Sequence, residues 1–570
     1  MFLLDWFHSF LPLLNPLGFG AQDFVLLAFA ALVATMAFAL GPFLERIARP
    51  LAERPAAAMA LLGALPVALR LSLLVHHPIP RPEVSDDFSY LLSAGTLRHL
   101  RLANPPHALP QFFETYFALQ QPTYSSIFPI GPGLWIALGW LLTGLPWAGV
   151  ALSEAALCAA CFWMLRAWTT PLWALAGGLL AVFEFGPLSQ WMNSYWGGSV
   201  AAFAGCLAFG AAARLRCGPN RRNALLLGAG LGLHVLTRPY ESIFLFMAAG
   251  IVLAPWKPHL LRSLRFTALA LAPALLLMAA HNNAVTGSWT MLPYQLSQFQ
   301  YGVPASLTFQ PMPKPHRTLT PEQQLDYDTQ AAVHGPLPDT LSRYLSRLAA
   351  RAPFYRFFFV APLSLALPFF LLTLRRPLHA AAAASILLFA LGTNFYPYFY
   401  PHYIAALTPV FVFVAVASLD RLSHLRLRGF ASGAPAARML LFLAVAHFAF
   451  WFGIHLFERP SFAGLIRYET WDSIEDPDPL GRHAIEAQLH AAPGAQLVFV
   501  HYTAGHRFHE WVHNAADIDA ARIVWARDLG AEANQSLLAY YPKRRPWLLY
   551  PDLHPPRLIP YFAESATSFP

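Results

Sequence analysis

The chain has 570 residues, of which 56% are hydrophobic and 12% charged, and it carries a formal net charge of +8. Soluble domains carry about 25% charged residues, so a mean hydropathy of +0.44 with so few charges excludes an ordinary soluble fold for most of the length. The basic residues cluster in short loops between apolar blocks, which marks them as an orientation signal and excludes nucleic acid as their partner.

The first twenty residues lack a basic start and contain prolines and an Asp, so no cleavable signal peptide is expected and the first span should act as an uncleaved anchor. Apolar stretches of roughly 20 residues suffice to cross a hydrocarbon core. About twelve are predicted, at 24–44, 56–77, 147–166, 171–187, 197–213, 223–237, 240–255, 266–282, 356–374, 378–393, 402–419 and 438–457. The stretch 131–144 opens with Gly-Pro-Gly and is short. Counted as a span, it would put the cluster Arg214, Arg216, Arg221 and Arg222 outside, so it is read as a re-entrant or interfacial helix. With it set aside, five basic clusters fall on one side: Arg46–Arg54, Arg214–Arg222, Lys257–Arg265, Arg375–Arg376 and Arg421–Arg428. The loops 78–146 and 283–355 and everything after 457 then fall on the other side, outside.

Three units follow: 1–55, an added span with a basic loop; 56–457, the membrane domain; and 458–570, an extracytoplasmic domain. The last holds 14 acidic and 10 basic residues. Its apolar runs at 496–501, 522–526 and 546–550 alternate with helical patterns at 480–491 and 533–541, which predicts a small parallel α/β domain. Cys158, Cys161, Cys206 and Cys217 lie in spans or a basic loop, so no disulfide framework is expected. The Ala/Pro/Arg bias and cysteine-free outer segments suggest a bacterial plasma membrane.

The first outer loop starts with PRPEVSDDFSYLL. Asp86 and Asp87 stand at the start of a helical run, where one acid suffices as a cap. Two adjacent carboxylates near lipid repel, which raises at least one pKa and suits a general base. Glu114 follows in an amphipathic stretch, QFFETYFALQ, and then comes QPTYSSIFPIGPGLW, whose aromatics suit the membrane interface. The Tyr, Gln and Trp content of 283–355 would suit a sugar, although ordinary loop packing explains most of it.

The Asp86-Asp87 pair, the run from Tyr124 to Gly133, LTRPYE at 236–241 and YPHYIAALTP at 400–409 together resemble the GT-C glycosyltransferases, most closely the protein O-mannosyltransferase and aminoarabinose-transferase branch. The resemblance covers about residues 56–419. It departs from that branch in the added first span, in an Asp where the family usually has Glu, and in the α/β tail. It implies transfer of a sugar from a polyprenyl-phosphate donor to an acceptor on a protein, lipid or glycan at the outer face, with inversion. Asp86 or Asp87 would be the base, and Arg238 and His402 would bind the donor phosphate. Arg238 could equally pair with Glu241, and His402 could be an interfacial anchor. Glu114, Glu184 and Glu241 are candidate second carboxylates. No cofactor is assigned, and a divalent metal ion at the site is left open.

Two rival readings remain. A transporter or lipid flippase would place charges at mid-membrane and show repeats, but Glu154 and Arg70 are the main charges within spans and no repeat is evident. A zinc metallopeptidase is suggested by His509-Glu510-Trp511-Val512-His513 with Glu532. This short pattern arises by chance in a chain with 22 histidines, follows a predicted strand and has little room for a helix.

Overall fold

The computed structural model of the chain describes residues 21–255, 258–426, 428–457, 474, 478 and 480–562. The expectations for residues 1–20, Lys257 and the start of the tail at 458 lie outside the described residues. Eighteen α-helices of nine or more residues occur among the described residues. They are α1 (Ala21–Ala52), α2 (Pro55–Ser72), α3 (Ser85–Arg98), α4 (Ile130–Thr143), α5 (Trp147–Leu165), α6 (Pro171–Phe185), α7 (Ser199–Cys217), α8 (Arg221–Thr237) and α9 (Pro239–Leu253). Then come α10 (Pro258–Thr286), α11 (Pro293–Tyr301), α12 (Pro321–His334), α13 (Leu341–Arg351), α14 (Pro377–Thr393), α15 (Thr408–Ser423), α16 (Gly433–Leu456), α17 (Arg482–Ala491) and α18 (Ala531–Tyr540). Proline opens several of them, including α2, α6, α9, α12 and α14, where its fixed φ favours the first turn and its missing N–H costs nothing.

Among the described residues, seven helical stretches are long and apolar enough to cross a membrane, and four more, α4, α6, α9 and α14, are apolar but shorter. The chain is a polytopic α-helical membrane protein. Its central helices meet through small residues: a Cβ on Gly205 would stand 1.9 Å from the Ala406 carbonyl oxygen, and one on Gly228 would stand 2.1 Å from that of Thr267. The predicted span at 356–374 departs from a continuous helix. It is a series of 3₁₀ turns, Ala352–Phe358, Ala361–Leu365 and Leu367–Thr373, because Pro353, Pro362 and Pro368 each remove a donor from the ladder.

The irregular segments collect at one end of the bundle. There the Tyr195 N–H donates to Asp87 (2.7 Å), Thr123 to the Val285 carbonyl (3.1 Å), and the Thr308 N–H to the Phe395 carbonyl (2.8 Å). The basic loops meet at the other end, where Arg214 donates to the Trp163 carbonyl (2.6 Å) and Arg376, Thr169 and Asp420 border one cavity. Helix α4 has both of its ends among the irregular segments. Gly131 touches Leu236 and Thr237, while Gly144, at φ +80°, turns the chain into Trp147, whose indole donates to the Met192 carbonyl.

The C-terminal sheet has the order β4–β3–β5–β6, preceded in the chain by a two-stranded pair, β1 (Ala118–Leu119) and β2 (Ser125–Ser126). Strands β3 (Gln496–Val500), β4 (Ile523–Arg527) and β5 (Arg545–Tyr550) are parallel, as expected, and α17 and α18 lie where the periodicity predicts them. Strand β6 (Arg557–Pro560) was not anticipated; it pairs antiparallel with β5 after a Pro-rich turn. Alternation along the strands divides the side chains. Val498, Val500, Trp525 and Leu549 pack with Ile485 and Leu489 of α17, whereas Leu497, Phe499, Val524 and Leu548 pack with Leu92, Phe112, Phe113 and Tyr124 of the first loop.

The Gly-Pro-Gly start of α4 therefore wedges α3 against the link between α8 and α9. A Cβ at Gly131 would stand 2.4 Å from Thr237 Oγ1, and one at Gly133 would stand 2.4 Å from Ser93 Oγ. Gly131→Val should overpack this junction and cost about 1–3 kcal/mol. A lowered melting temperature of the purified protein in detergent is expected, and an unchanged one would refute the wedge.

Candidate active site

Asp86 and Asp87 open α3 but serve different ends. Asp87 occupies the third helical position, and its Oδ2 accepts from the N–H groups of Glu83 (3.2 Å) and Val84 (3.5 Å) just before the helix. Its Oδ1 accepts from the Tyr195 N–H at 2.7 Å, so this side chain, 3% exposed, fastens α3 to the segment between α6 and α7. Burial pushes its carboxyl up to about 6, while the three backbone donors hold it back.

Asp86 is half-buried and still reached by solvent. Burial pushes its carboxyl up to about 7, the neighbouring Asp87 adds to the rise, Arg238 opposes it, and Asp326 on α12 adds to it. These four groups arrive from three parts of the chain.

Arg238 is the single residue between α8 and α9, where Pro239 starts the next helix. Its guanidinium lies 4.8 Å from the Tyr403 ring centre, with the Glu241 carboxyl and the neutral phenols of Tyr90 and Tyr396 nearby. His402 is buried alongside, edge-on to Trp196 at 5.0 Å and to Tyr403 at 4.7 Å. Both His402 and Tyr403 belong to the 3₁₀ turn Pro401–Leu407 that leads into α15. The preceding loop is stitched to α13: Arg351 donates to the carbonyls of Thr393 (2.8 Å) and Tyr396, and Arg347 to that of Asn394 (3.3 Å). The structure thus brings together Asp86, Arg238, Glu241 and His402 from the sequence-predicted residues.

Other predicted residues lie elsewhere. Glu114 is a junction between the two long loops, accepting from Arg317 (2.7 Å), Tyr301 (2.9 Å) and Gln323 (3.2 Å). Glu184 is buried near the end of α6 in apolar surroundings, and its Oε2 has no hydrogen-bond partner among the described residues.

The HExxH reading needs correction, because residues 509–513 form no helix and the two histidines do not share a helical face. Glu510 is instead claimed by Arg527 at 3.5 Å, and His513 is buried in a stack on Phe88 at 4.3 Å. Glu532 sits in the first turn of α18, beyond β4. No group of three or more potential metal ligands occurs among the described residues.

Sequence reasoning missed Asp326, Tyr90, Tyr396 and Tyr403. Tyr403 lies inside the YPHYIAALTP run, beside His402, where a tyrosine ring carries no signal of its own. Asp326 lies in PEQQLDYD, an acidic helix that reads as solvated. In the structure Asp326 is buried, with Gln330 donating to both of its oxygens at 3.0 Å, and burial pushes it up to about 6.

No family model and no curated protein sequence matches the chain. Among solved structures it is similar to ArnT from Cupriavidus metallidurans in the apo state, with 12% identity over 89% of this chain and 94% of that one and a TM-score of 0.47. ArnT bound to undecaprenyl phosphate gives 13% identity over the same shares and a TM-score of 0.47. The archaeal oligosaccharyltransferase AglB from Archaeoglobus fulgidus, in complex with an inhibitory peptide and a dolichol-phosphate, gives 12% identity over 87% of this chain and 69% of that one, with a TM-score of 0.44.

The two aspartates should separate under mutation. Asp87→Asn sets an NH₂ group against a backbone donor and leaves it unsatisfied, which should cost about 1–3 kcal/mol. Asp86→Asn should leave thermal stability nearly unchanged. Melting curves of the two variants in one detergent check this, and equal losses would refute the division.

Proposed function

We propose that the chain is an integral-membrane glycosyltransferase that moves a sugar from a polyprenyl-phosphate donor to an acceptor hydroxyl or amine, with inversion, at the outer face of a plasma membrane. The observation that carries this reading is the solvent-reached Asp86 carboxylate within electrostatic reach of the Arg238 guanidinium, at the loop end of an apolar helical bundle. A lipid phosphate, of the kind seen with ArnT, can keep its tail among lipids while its head reaches that end.

In a single displacement the acceptor oxygen attacks the anomeric carbon from the face opposite the phosphate. The new glycosidic bond forms as the bond to the phosphate oxygen breaks, and the lipid phosphate leaves with the electron pair. Asp86 takes the acceptor proton, a role that suits a carboxyl raised towards neutrality. Arg238 offsets the charge gathering on the departing phosphate. Its seat on the Tyr403 ring fixes the direction of its N–H groups, and His402 stands beside it as a second phosphate contact. Asp87 holds the helix that presents Asp86. The parity of the basic loops supports placing the cleft and the C-terminal domain outside, with that domain as a cap on the first loop.

The test is transfer from labelled polyprenyl-phosphate sugars to extracted envelope material. Asp86→Asn should lower kcat by about 10²–10⁴, the range for loss of a general base. A base must be ionised to act, so wild-type activity should fall as pH drops through about 7 and level off above it. Transfer that survives in Asp86→Asn would overturn the base assignment. Absence of transfer with every donor would overturn the function.

A further inference from the structure

Arg527 ends strand β4 and is buried between two carboxylates from different parts of the chain. Its Nη2 lies 2.5 Å from Glu322 Oε2, on α12 in the second long loop, and its Nη1 lies 3.5 Å from Glu510 Oε1 in the tail. All three side chains are less than 9% exposed. Thr115 of the first loop (3.2 Å) and Tyr502 (3.4 Å) donate to the far oxygen of Glu510, and the Tyr116 hydroxyl donates to the Glu322 carbonyl (2.8 Å). Burying such charges is costly unless they are paired, and removing the shared cation would leave two carboxylates facing each other. The cluster therefore strongly specifies how the tail, the first loop and α12 fit together.

That fit bears on the cleft. Glu322 and Asp326 are four residues apart on α12 and so share one face, one turn from each other. The end of the helix gripped by Arg527 is therefore followed, one turn on, by the carboxylate that acts on Asp86. We propose that Arg527 is a positioning residue for transfer: by gripping Glu322 it sets α12 so that Asp326, one turn on, stands near Asp86. This inference rests on the glycosyltransferase reading above, and it makes the C-terminal domain a working wall of the active site.

Asp86 is faced by Asp87 and Tyr90 from its own helix, by Arg238 at the α8–α9 link, by Tyr403 from the turn before α15, and by Asp326 from α12. Of these, Asp326 is the one carried by the helix that Arg527 grips.

The experiment uses the full chain in detergent. Arg527→Gln should lower kcat roughly tenfold, near the top of the range for coupling through a packed network, with a smaller change in KM. It should also move the acid limb of the pH profile to lower pH, because the negative charge of Asp326 is withdrawn from Asp86. Asp326→Asn should move that limb in the same direction, and combining the two should move it no further. Arg527→Lys should retain most of the wild-type profile. The exchange Arg527→Glu with Glu322→Arg keeps two negative charges and one positive in the cluster and should restore both rate and limb.

Hydrogen exchange over 321–334 gives a readout independent of activity. It should speed up in Arg527→Gln and return to normal in the exchanged pair. Unchanged exchange over 321–334, or a fall in kcat with an unmoved acid limb, would overturn the inference. If Arg527→Gln does not fold, failure of the exchanged pair to recover the limb does the same. Failure of the underlying reading shows differently, as transfer that persists in Asp86→Asn or is absent in wild type.

Discussion

A guanidinium held in a one-residue link between two apolar helices is the constraint on which the rest of the site depends. Arg238 has almost no chain on either side to carry it into water, since α8 ends at Thr237 and α9 begins at Pro239. An Arg at such depth is costly unless its charge is answered, so the surroundings must supply polar groups. The aromatic face of Tyr403, the hydroxyls of Tyr90 and Tyr396, and the carboxyls of Glu241 and Asp86 gather round it for that reason. Tyr90 and Asp86 come from α3, Glu241 from α9, Tyr396 from the loop after α14 and Tyr403 from the turn before α15, so one half-buried charge organises the meeting of these elements.

Holding those elements in place requires further devices, and they are of two kinds. Glycines at 131 and 133 let α4 approach α3 and the Arg238 link more closely than any side chain would permit. Arginines at 347 and 351 cap the loose carbonyls of the loop carrying Tyr396, a segment with too many prolines and tyrosines to form its own ladder. Close packing and carbonyl capping both work locally, which allows the loop end to be irregular while the bundle beneath it stays regular.

The parts legible in the sequence were those governed by local rules. Spans follow from runs without charge, the sidedness of the loops from basic clusters, and the tail from strands alternating with helices. Asp86, Arg238, Glu241 and His402 could be picked out because charge beside apolar helices is rare enough to notice. Asp87 looks like its neighbour in the sequence, and the two are distinguished by the backbone donors of Glu83, Val84 and, over a hundred residues away, Tyr195, all of which bond Asp87. Asp326 and Arg527 look like ordinary soluble charges, and their burial exists only once the tail has docked on the loops. The HExxH pattern failed for the complementary reason. Its spacing has meaning only on a helix, and Glu510 and His513 are drawn instead into contacts with Arg527 and Phe88.

The adjacent aspartates show how one helix start can carry both a fastening and a reactive group. A carboxylate with both oxygens engaged by backbone donors is fixed in place, and taking up a proton would disturb the fastening. A carboxylate that is free to react has, for the same reason, little to hold it still. Adjacent residues at a helix start point in directions about 100° apart, so one side chain can turn back to the preceding turn while the next faces the cleft. Asp87 supplies rigidity and Asp86 inherits it through the shared backbone. Burial, and then repulsion between the two, raises the half-buried Asp86 carboxyl towards the pH at which it can exchange a proton.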